Sequence, residues 1–337
     1  MTTQVVYSSD FNNHDNQGHP ENARRLDVII QELKQSTLYH AIKMIQPEML
    51  PEELLYTVHA PEMIQLVKDC SDRGDTWIDL DTYVCKNDYN VARLAAGGVV
   101  QLCANVLADR ADNGFALVRP PGHHARYDRS MGFCLFNNAA IAAHHYAATE
   151  GNHVLIFDHD VHHGNGTQYI FYDRDDVMYQ SLHLSPHYPG TGDIDEIGEG
   201  NGRGYTVNAP LSPGNGTATV TRIMDDVFLP IARQFKPDLI LISAGFDSHH
   251  ADPLGGLRLT ADYFGELIAQ FQKIQPKIIC TLEGGYNLNW LGKCVLSQLG
   301  QLCNHPLHYH DTVSETKALD PTILQQLKKE LKEYWTL

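Results

Sequence analysis

The sequence predicts an α/β protein with a parallel β-sheet between helices. Two observations support this prediction. Six short apolar runs read as buried strands and alternate with stretches of helical periodicity; they comprise residues 5–7, 115–118, 154–157, 177–184, 239–242 and 278–282. Four of these runs end at side chains that can carry out chemistry. The carboxyl ends of parallel strands lie along one edge of a sheet, where ligands bind, so we expect those side chains to meet.

Helices connect the predicted strands in the first half of the chain. One begins at about Asn22, where apolar residues recur every three or four positions. Residues 51–70 are typical of two short helices because a proline interrupts them. Residues 77–83 mix aromatic and acidic side chains and predict a loop. Further helices are predicted over residues 89–107, where small residues favour close packing, and 137–148.

The second half of the chain contains a long segment without clear periodicity. Residues 193–216 are rich in glycine, which predicts a long functional loop. Helical patterns follow over residues 217–234, 260–274 and 321–334. No internal repeat or shift in composition divides the chain, so we expect a single domain over residues 1–337.

The composition limits the possible functions. There are 41 Asp and Glu residues against 25 Lys and Arg, and the formal net charge is −16. Direct nucleic-acid binding needs a basic surface and is therefore not expected. No apolar run approaches the roughly 18 residues that cross a membrane, so no membrane partner is expected either. The seven cysteines are scattered singly and no secretory leader is recognisable, which predicts reduced thiols and a cytoplasmic location.

The most informative strand end follows residues 154–157. Five acidic or imidazole side chains stand within the next six residues: Asp158, His159, Asp160, His162 and His163. A lone buried Asp or His is usually a hydrogen-bonded structural residue. Burying this many charged groups without a metal would cost on the order of several kcal/mol per ion. The cluster therefore predicts a metal site.

Three side chains make the expected metal site. Asp160 and His162 have alternate spacing, so on an extended backbone both face the same way, and Asp247 follows the strand at 239–242. Three protein ligands leave an open position for water, which is typical of a catalytic metal. Zinc and ferrous iron both suit this ligand set. Such a metal lowers the pKa of bound water towards ~7 and polarises a carbonyl group.

Other strand ends supply candidate catalytic groups. A metal hydrolase needs a base for the water proton and an acid for the leaving amine, which are roles for His123 and His124. Asp158 could orient one of these imidazoles. Tyr286 could donate its hydroxyl to a developing oxyanion. The alternatives are that the histidine pair caps backbone groups of a loop and that Tyr286 packs in the core.

Seven segments of the chain resemble motifs of the zinc-dependent histone deacetylase family, which includes bacterial and archaeal deacetylase-like amidohydrolases. They are GHPE at 18–21, RPPGHH at 119–124, GFC at 132–134, DHDVHHGNGT at 158–167, YPGTG at 188–192, AGFD at 244–247 and EGGY at 283–286. The resemblance implies an arginase–deacetylase fold, an eight-stranded parallel sheet between helices. It also implies one catalytic zinc held by Asp160, His162 and Asp247.

The resemblance also implies catalytic roles. His124 would be the general base and acid, and His123 its electrostatic partner beside Asp158. Tyr286 would polarise the substrate carbonyl; weakly active class IIa members carry His there, so its presence favours real activity. Asn165 stands where class I members carry Asp, and this resembles class II. An Asn has no charge, so the pKa of its histidine partner should be less raised.

The substrate site is expected around an aromatic tunnel. Phe133 and Tyr188 resemble the two walls that flank the stem of an acyl-lysine, and we count Gly132 and Thr82 among the substrate-binding residues. Leu254 stands where polyamine-preferring members carry Glu, which disfavours a polycationic small substrate.

Two structural potassium ions are implied by the resemblance. The first would be bound by Asp158, Asp160, His162, Ser181 and Leu182. The second would be bound by Phe171, Arg174, Val177 and Tyr205.

The expected function is a zinc-dependent amidohydrolase that removes acetyl or short acyl groups from lysine side chains of proteins or peptides. Alternatives are a deacetylase of small acetylated amines such as acetylpolyamines, and a weakly active acyl-lysine-binding protein. An arginase-like ureohydrolase would need more ligands for a second metal. His249 and His250 follow Asp247 closely and are interpreted as loop or rim residues. The sequence leaves the oligomeric state open.

Overall fold

Eight parallel strands form the central sheet of the protein. The computed structural model describes residues 2–337, except for the side chains of residues 149 and 150. The strands in chain order are β1 (Thr3–Val6), β2 (Ile42–Ile45), β3 (Thr76–Trp77), β4 (Tyr83–Val84), β5 (Asn113–Ala116), β6 (Val154–Asp158), β7 (Val177–Leu184), β8 (Thr206–Leu211), β9 (Leu239–Ala244) and β10 (Ile278–Leu282). The sheet has the order β2-β1-β5-β10-β9-β6-β7-β8, and β3 pairs with β4 as a separate antiparallel hairpin.

The six strands predicted from the sequence are confirmed, and the resemblance correctly implied a total of eight. The two additional strands, β2 and β8, lie at the two edges of the sheet. An edge strand pairs on one side only, so it can be short and half-buried like β2 or carry a proline like Pro210 in β8. The prediction of a long loop over residues 193–216 is therefore wrong for residues 206–211, which form β8. The predicted loop at 77–83 likewise contains parts of the hairpin.

Helices cover the sheet. They are α1 (Arg24–Gln35), α2 (Pro61–Arg73), α3 (Asp88–Leu107), α4 (Asn138–Glu150), α5 (Asn165–Phe171), α6 (Thr217–Ile223), α7 (Leu229–Phe235), α8 (Ala261–Gln272), α9 (Leu291–Leu302) and α10 (Pro321–Leu331). The sequence did not predict α9. A π-helical turn at Met224–Phe228 joins α6 to α7, so the helix predicted over 217–234 is present but locally widened.

Helix α3 is a core helix. By length and composition it could cross a membrane, but 56% of its most apolar 18-residue window is buried inside the protein. It packs against α4 and β5, and Gly97 allows the close approach of the backbone at Glu48 and Leu50. Its apolar character is thus explained by packing.

The centre of the sheet brings the chemical side chains together. Every residue of β6, β9 and β10 is buried, as expected for strands covered on both faces. Strands β5, β10, β9 and β6 are consecutive neighbours in the sheet. The segments that follow their carboxyl ends carry the four sets of residues singled out in the sequence, and they therefore meet at one edge.

Candidate metal centre and active site

Asp160, His162 and Asp247 converge beyond the ends of β6 and β9. Their ligand atoms all lie within 4.8 Å of one another. His162 Nδ1 lies 3.0 Å from Asp160 Oδ1 and 3.3 Å from Asp247 Oδ2. Backbone N–H groups hold the carboxylates, since Val161 donates to Asp247 Oδ1 at 2.8 Å and Gly284 donates to Asp160 Oδ2 at 2.8 Å. The three groups expected as ligands are thus oriented towards one point.

The electrostatics of this cluster fit a cation. Asp160 and Asp247 are both buried, and Asp247 Oδ2 has no hydrogen-bond partner. Burial and the charge of Asp160 raise the pKa of Asp247. Burial alone would lower the pKa of His162, but the neighbouring carboxylates of Asp160 and Asp247 raise it to about 10. A proton on His162 therefore occupies the position where a divalent ion would neutralise both carboxylates.

Gly284 makes room for the cluster. A Cβ atom at this position would overlap Asp247 Oδ2 and lie 2.6 Å from Asp160 Oδ2. A glycine is therefore required where the segment after β10 passes the carboxylates.

His123 and His124 lie beside the cluster on the loop after β5. Their ring centroids are 4.0 Å apart. His123 Nδ1 lies 3.0 Å from Asp158 Oδ2, and His124 Nδ1 lies 2.8 Å from Asn165 Oδ1. An amide oxygen only accepts, so Nδ1 of His124 carries the hydrogen and its Nε2 is left as a free acceptor.

The two histidines have opposite protonation tendencies. Burial would lower the pKa of His123, but Asp160 and Asp158 raise it to about 10. Burial and the neighbouring charges of His123 and His162 hold the pKa of His124 well below its ordinary value. The imidazole of His123 is thus cationic and that of His124 neutral. The first can stabilise negative charge, and the second can accept a proton.

Two buried groups that the sequence analysis did not assign hold this pair in place. Glu283 accepts the N–H of Gly122 at 2.7 Å and that of His123 at 3.1 Å, and burial raises its pKa to about 7. Tyr179 donates its hydroxyl to Asp158 Oδ2 at 3.0 Å. Tyr179 lies inside the apolar strand β7, where its sequence position resembles that of a core residue. Glu283 follows β10 and belongs to the EGGY motif, which could have drawn attention to it.

Tyr286 borders the same space from the segment after β10. Its ring lies 5.9 Å from Phe133, edge to face, and 5.0 Å from the guanidinium of the buried Arg25. Burial raises the pKa of Tyr286 well above its ordinary value, so the hydroxyl stays protonated and can donate. Asp252 accepts the backbone N–H of Tyr286 at 2.6 Å and that of Asn287 at 3.0 Å.

A pocket of about 190 Å³ connects these groups to the surface. It is lined by Asp81, Pro121, His123, His124, Gly132, Phe133, His162, Tyr188, Gly284 and Tyr286. Thr82 does not line it but accepts the N–H of Phe133 through Oγ1 at 3.1 Å. A larger cavity of about 520 Å³ lies between α10 and residues 193–195. None of the three expected metal ligands lines this larger cavity. The smaller pocket is therefore the candidate active site, because it borders the metal cluster and the two histidines.

Comparisons with known proteins show the family to which the chain belongs. The histone deacetylase domain family matches residues 19–302. A probable deacetylase of Archaeoglobus fulgidus is 36% identical over 296 residues, covering 86% of this chain and 82% of the relative. The chain belongs to the histone deacetylase family.

Other members of this deacetylase family are similarly related. The histone deacetylase-like amidohydrolase of Pseudomonas aeruginosa is 36% identical over 290 residues, covering 84% of this chain and 76% of that protein. The crystal structure of the HDA15 HD domain superposes with a TM-score of 0.91 at 36% identity, covering 99% of this chain and 97% of that one. The fold is therefore the arginase–deacetylase fold implied by the sequence.

Within this deacetylase fold, three expectations on individual residues stay predictions. Leu254 is half-buried and does not line the pocket, and its carbonyl accepts from Nε2 of His187, the residue before the lining Tyr188, at 3.1 Å. Ser181 lies opposite Asp158 in neighbouring strands, as the first potassium site requires. His249 and His250 face Asp311, each at 2.9 Å, rather than the metal cluster.

The remaining residues expected to bind potassium lie near the end of α5 and in the adjoining strands. Phe171 ends α5 and its carbonyl accepts the N–H of Arg174 at 3.1 Å. Val177 begins β7, and the carbonyl of Tyr205 accepts the N–H of Tyr179 at 2.9 Å. Leu182 is a buried residue of β7.

Proposed function

We propose that the protein is a zinc-dependent deacetylase that hydrolyses the side-chain amide of acetylated or short-chain acylated lysine. The observation that carries this proposal is the meeting of an open three-ligand cluster, a neutral histidine and a tyrosine hydroxyl along one narrow pocket. Family membership supports deacetylation as the reaction class. We propose in addition that the metal is zinc and that the substrate is an acyl-lysine.

Zinc is the metal that this donor set suits. Two carboxylates and one imidazole provide three protein ligands and leave a position open. The unpartnered Asp247 Oδ2 supports a cation between the carboxylates. When bound, zinc would lower the pKa of a water molecule and polarise the acyl carbonyl.

His124 takes and returns the proton. Its Nδ1–H is held by Asn165, so Nε2 is the free acceptor that removes a proton from the attacking water. The same nitrogen then donates that proton to the departing amine. His123, paired with Asp158, keeps a positive charge beside the reaction and favours the negative charge that develops on the carbonyl oxygen.

Tyr286 donates a hydrogen bond to that oxygen. Its protonated hydroxyl reaches the pocket from the opposite segment, and the interaction is strongest when the oxygen is most negative. The hydroxyl therefore lowers the barrier rather than tightening substrate binding.

The shape of the pocket favours a slim unbranched stem. Phe133 and Tyr188 both line it, and aromatic walls suit the methylene chain of a lysine. Asp81 is a partly exposed lining carboxylate that could accept N–H groups of a peptide backbone. The same carboxylate would also attract a small cationic amine, so acetylpolyamines are the second candidate substrates.

We also propose a cytoplasmic location. It is supported by seven cysteines that form no disulfide, namely Cys70, Cys85, Cys103, Cys134, Cys280, Cys294 and Cys303.

A side-by-side substrate panel tests the substrate class. The purified protein with stoichiometric zinc is assayed on an acetyl-lysine peptide, a propionyl-lysine peptide and acetylated putrescine and spermidine, with acetate or propionate release as the readout. We expect the highest kcat/KM on an acyl-lysine peptide. A higher value on an acetylpolyamine would replace lysine by the second candidate, and binding of the peptide without turnover on any amide would overturn the enzymatic proposal.

A further inference from the structure

A second cluster of metal-ligating residues lies outside the active site. His14 follows the short 3₁₀ helix Ser9–Asn13, whereas Cys85 follows β4 and Asp88 begins α3. One potential ligand atom from each of the three side chains lies within 4.8 Å of the other two. His14 and Asp88 are buried, and Cys85 is partly exposed, so the cluster is built into the protein yet open to an ion from solution.

The imidazole of His14 lies between two carboxylates. Its Nδ1 is 2.6 Å from Asp88 Oδ2 and its Nε2 is 3.4 Å from Glu21 Oε2. A neutral imidazole has one N–H, so it cannot donate to both carboxylates. A cation at Nδ1, either a proton or a metal, meets Asp88 and leaves the hydrogen on Nε2 to face Glu21.

Asp88 provides an independent indication of a missing cation. Its Oδ2 accepts the backbone N–H of Cys85 at 2.5 Å, but its Oδ1 is buried without a hydrogen-bond partner. A buried carboxylate oxygen without a partner is costly. An ion held by Asp88, His14 and the thiolate of Cys85 would remove this cost.

We propose that His14, Cys85 and Asp88 bind a second zinc ion with a structural role. A thiolate, an imidazole and a carboxylate are borderline ligands of the kind that zinc prefers, and water would provide a fourth. Bond lengths of roughly 2.0–2.3 Å space tetrahedral ligand atoms by about 3.3–3.8 Å. The present ligand atoms all lie within 4.8 Å of one another, which is close to that spacing.

Zinc binding at this cluster would release as much positive charge in protons as the ion brings. Zinc would replace one proton on Nδ1 of His14 and one on the thiol of Cys85, which now donates to the carbonyl of Asp15 at 3.3 Å. A Zn²⁺ ion carries two charges and displaces two protons, so the net charge of the cluster is unchanged. No oxidant, reductant or other reactant takes part.

Glu21 would favour the tautomer of His14 that a metal at Nδ1 requires. Its carboxylate stays ionised because Arg119 and Arg25 bond to it, at 2.6 and 3.0 Å. With a metal at Nδ1, the hydrogen of the ring would lie on Nε2, which faces this carboxylate at 3.4 Å, and a carboxylate in that position is common behind metal-bound histidines. The ion would join the loop after residue 13 to the end of the β3–β4 hairpin, whose turn carries the pocket residue Asp81.

Metal content measures this site separately from the catalytic one. Chelator-treated protein is reloaded with zinc, freed of excess ion and analysed for zinc per chain. We expect two equivalents in the wild type, one in Cys85→Ala and one in Asp247→Ala. Cys303→Ala is the matched control, because Cys303 is also partly exposed but lies outside the cluster, and it should retain two.

Cobalt distinguishes the two sites by their ligands. The catalytic cluster contains no thiol, whereas the proposed site contains Cys85, so only the latter gives an intense near-ultraviolet thiolate-to-cobalt band. We expect this band in the wild type and in Asp247→Ala, and its loss in Cys85→Ala and Asp88→Asn. The thiolate-to-cobalt band tests the second site even if the catalytic proposal fails, because Asp247→Ala changes only a ligand of the catalytic metal. Equal zinc content in the wild type and in Cys85→Ala, or a thiolate band that survives Cys85→Ala, would overturn the second site.

Discussion

The carboxylate of Asp252 holds the backbone of Tyr286. Its Oδ2 accepts the N–H of Tyr286 at 2.6 Å and that of Asn287 at 3.0 Å, while its Oδ1 accepts the N–H of Leu254 at 3.0 Å. Asn287 returns a hydrogen bond to the carbonyl of Ala251 at 2.6 Å. The loop after Asp247 and the segment after β10 are therefore joined next to the proposed oxyanion donor.

Asp252→Asn should lower kcat without removing the metal. An amide oxygen is a weaker acceptor than a carboxylate for N–H donors, so the segment carrying Tyr286 loses part of its restraint. A small displacement of a catalytic group can cost as much as ~10²-fold in rate, and we expect a loss of about 10-fold or more. In a Tyr286→Phe background the same change should have little further effect on kcat. Fully multiplicative losses in this double-mutant cycle would show that Asp252 acts elsewhere.

Tyr286→Phe should retain its metal, its fold and most of its substrate affinity. The hydroxyl is not among the groups of the metal cluster, and it acts mainly in the transition state. Turnover should fall by about 10²–10³-fold, the usual result of deleting one oxyanion donor. Zinc content, thermal melt and kcat are measured on one preparation. Near-normal kcat would make Tyr286 a packing residue, and an unfolded variant would make it a structural one.

Gly284→Ala should damage the metal centre. The added Cβ would overlap Asp247 Oδ2, and forcing such a group into a packed interior costs about 1–3 kcal/mol. We expect weaker zinc binding and lower turnover, measured by competition with a zinc chelator and by peptide deacetylation. Gly18→Ala is the control, because its Cβ would approach Asn16 Oδ1 only to 3.7 Å. Unchanged zinc affinity in Gly284→Ala would contradict the close approach of this segment to the ligands.

Leu254→Glu should shift substrate preference towards acetylpolyamines. A carboxylate beside the pocket would attract the distal ammonium group of a polyamine and add little for a peptide. The expected change is a higher ratio of kcat/KM on acetylspermidine to that on an acetyl-lysine peptide. Leu254→Gln keeps a similar size without the charge and serves as the control. Equal ratios in the wild type and both variants would remove position 254 from the specificity.

The central strands were predictable because their residues are apolar on both faces. Strands such as β6 and β9 form continuous apolar runs, which are typical of strands inside a parallel sheet. The edge strand β8 contains Thr206, Asn208 and Pro210 and gives no such signal. Its strand conformation depends on pairing with β7, which local sequence does not encode.

The candidate site was predictable where polar residues interrupt apolar runs. Asp160 and His162 stand out in this way, and so does Asp247. The role of Glu283 as the acceptor for the loop of His123 was not predictable from the sequence, and neither was the place of Asp81 in the pocket. Their roles depend on contacts with segments distant in the chain, since Glu283 bonds residues about 160 positions away.

Removal and return of zinc test the central claim most directly. The protein is treated with a chelator, assayed on an acetyl-lysine peptide by acetate release, and assayed again after one equivalent and then two equivalents of zinc are added. We predict that activity is lost with the metal and returns with zinc in the wild type, and that it does not return in Asp160→Ala, His162→Ala or Asp247→Ala, because each lacks one of three ligands. Full turnover by the metal-free protein, or full recovery in any of these variants, would contradict the account.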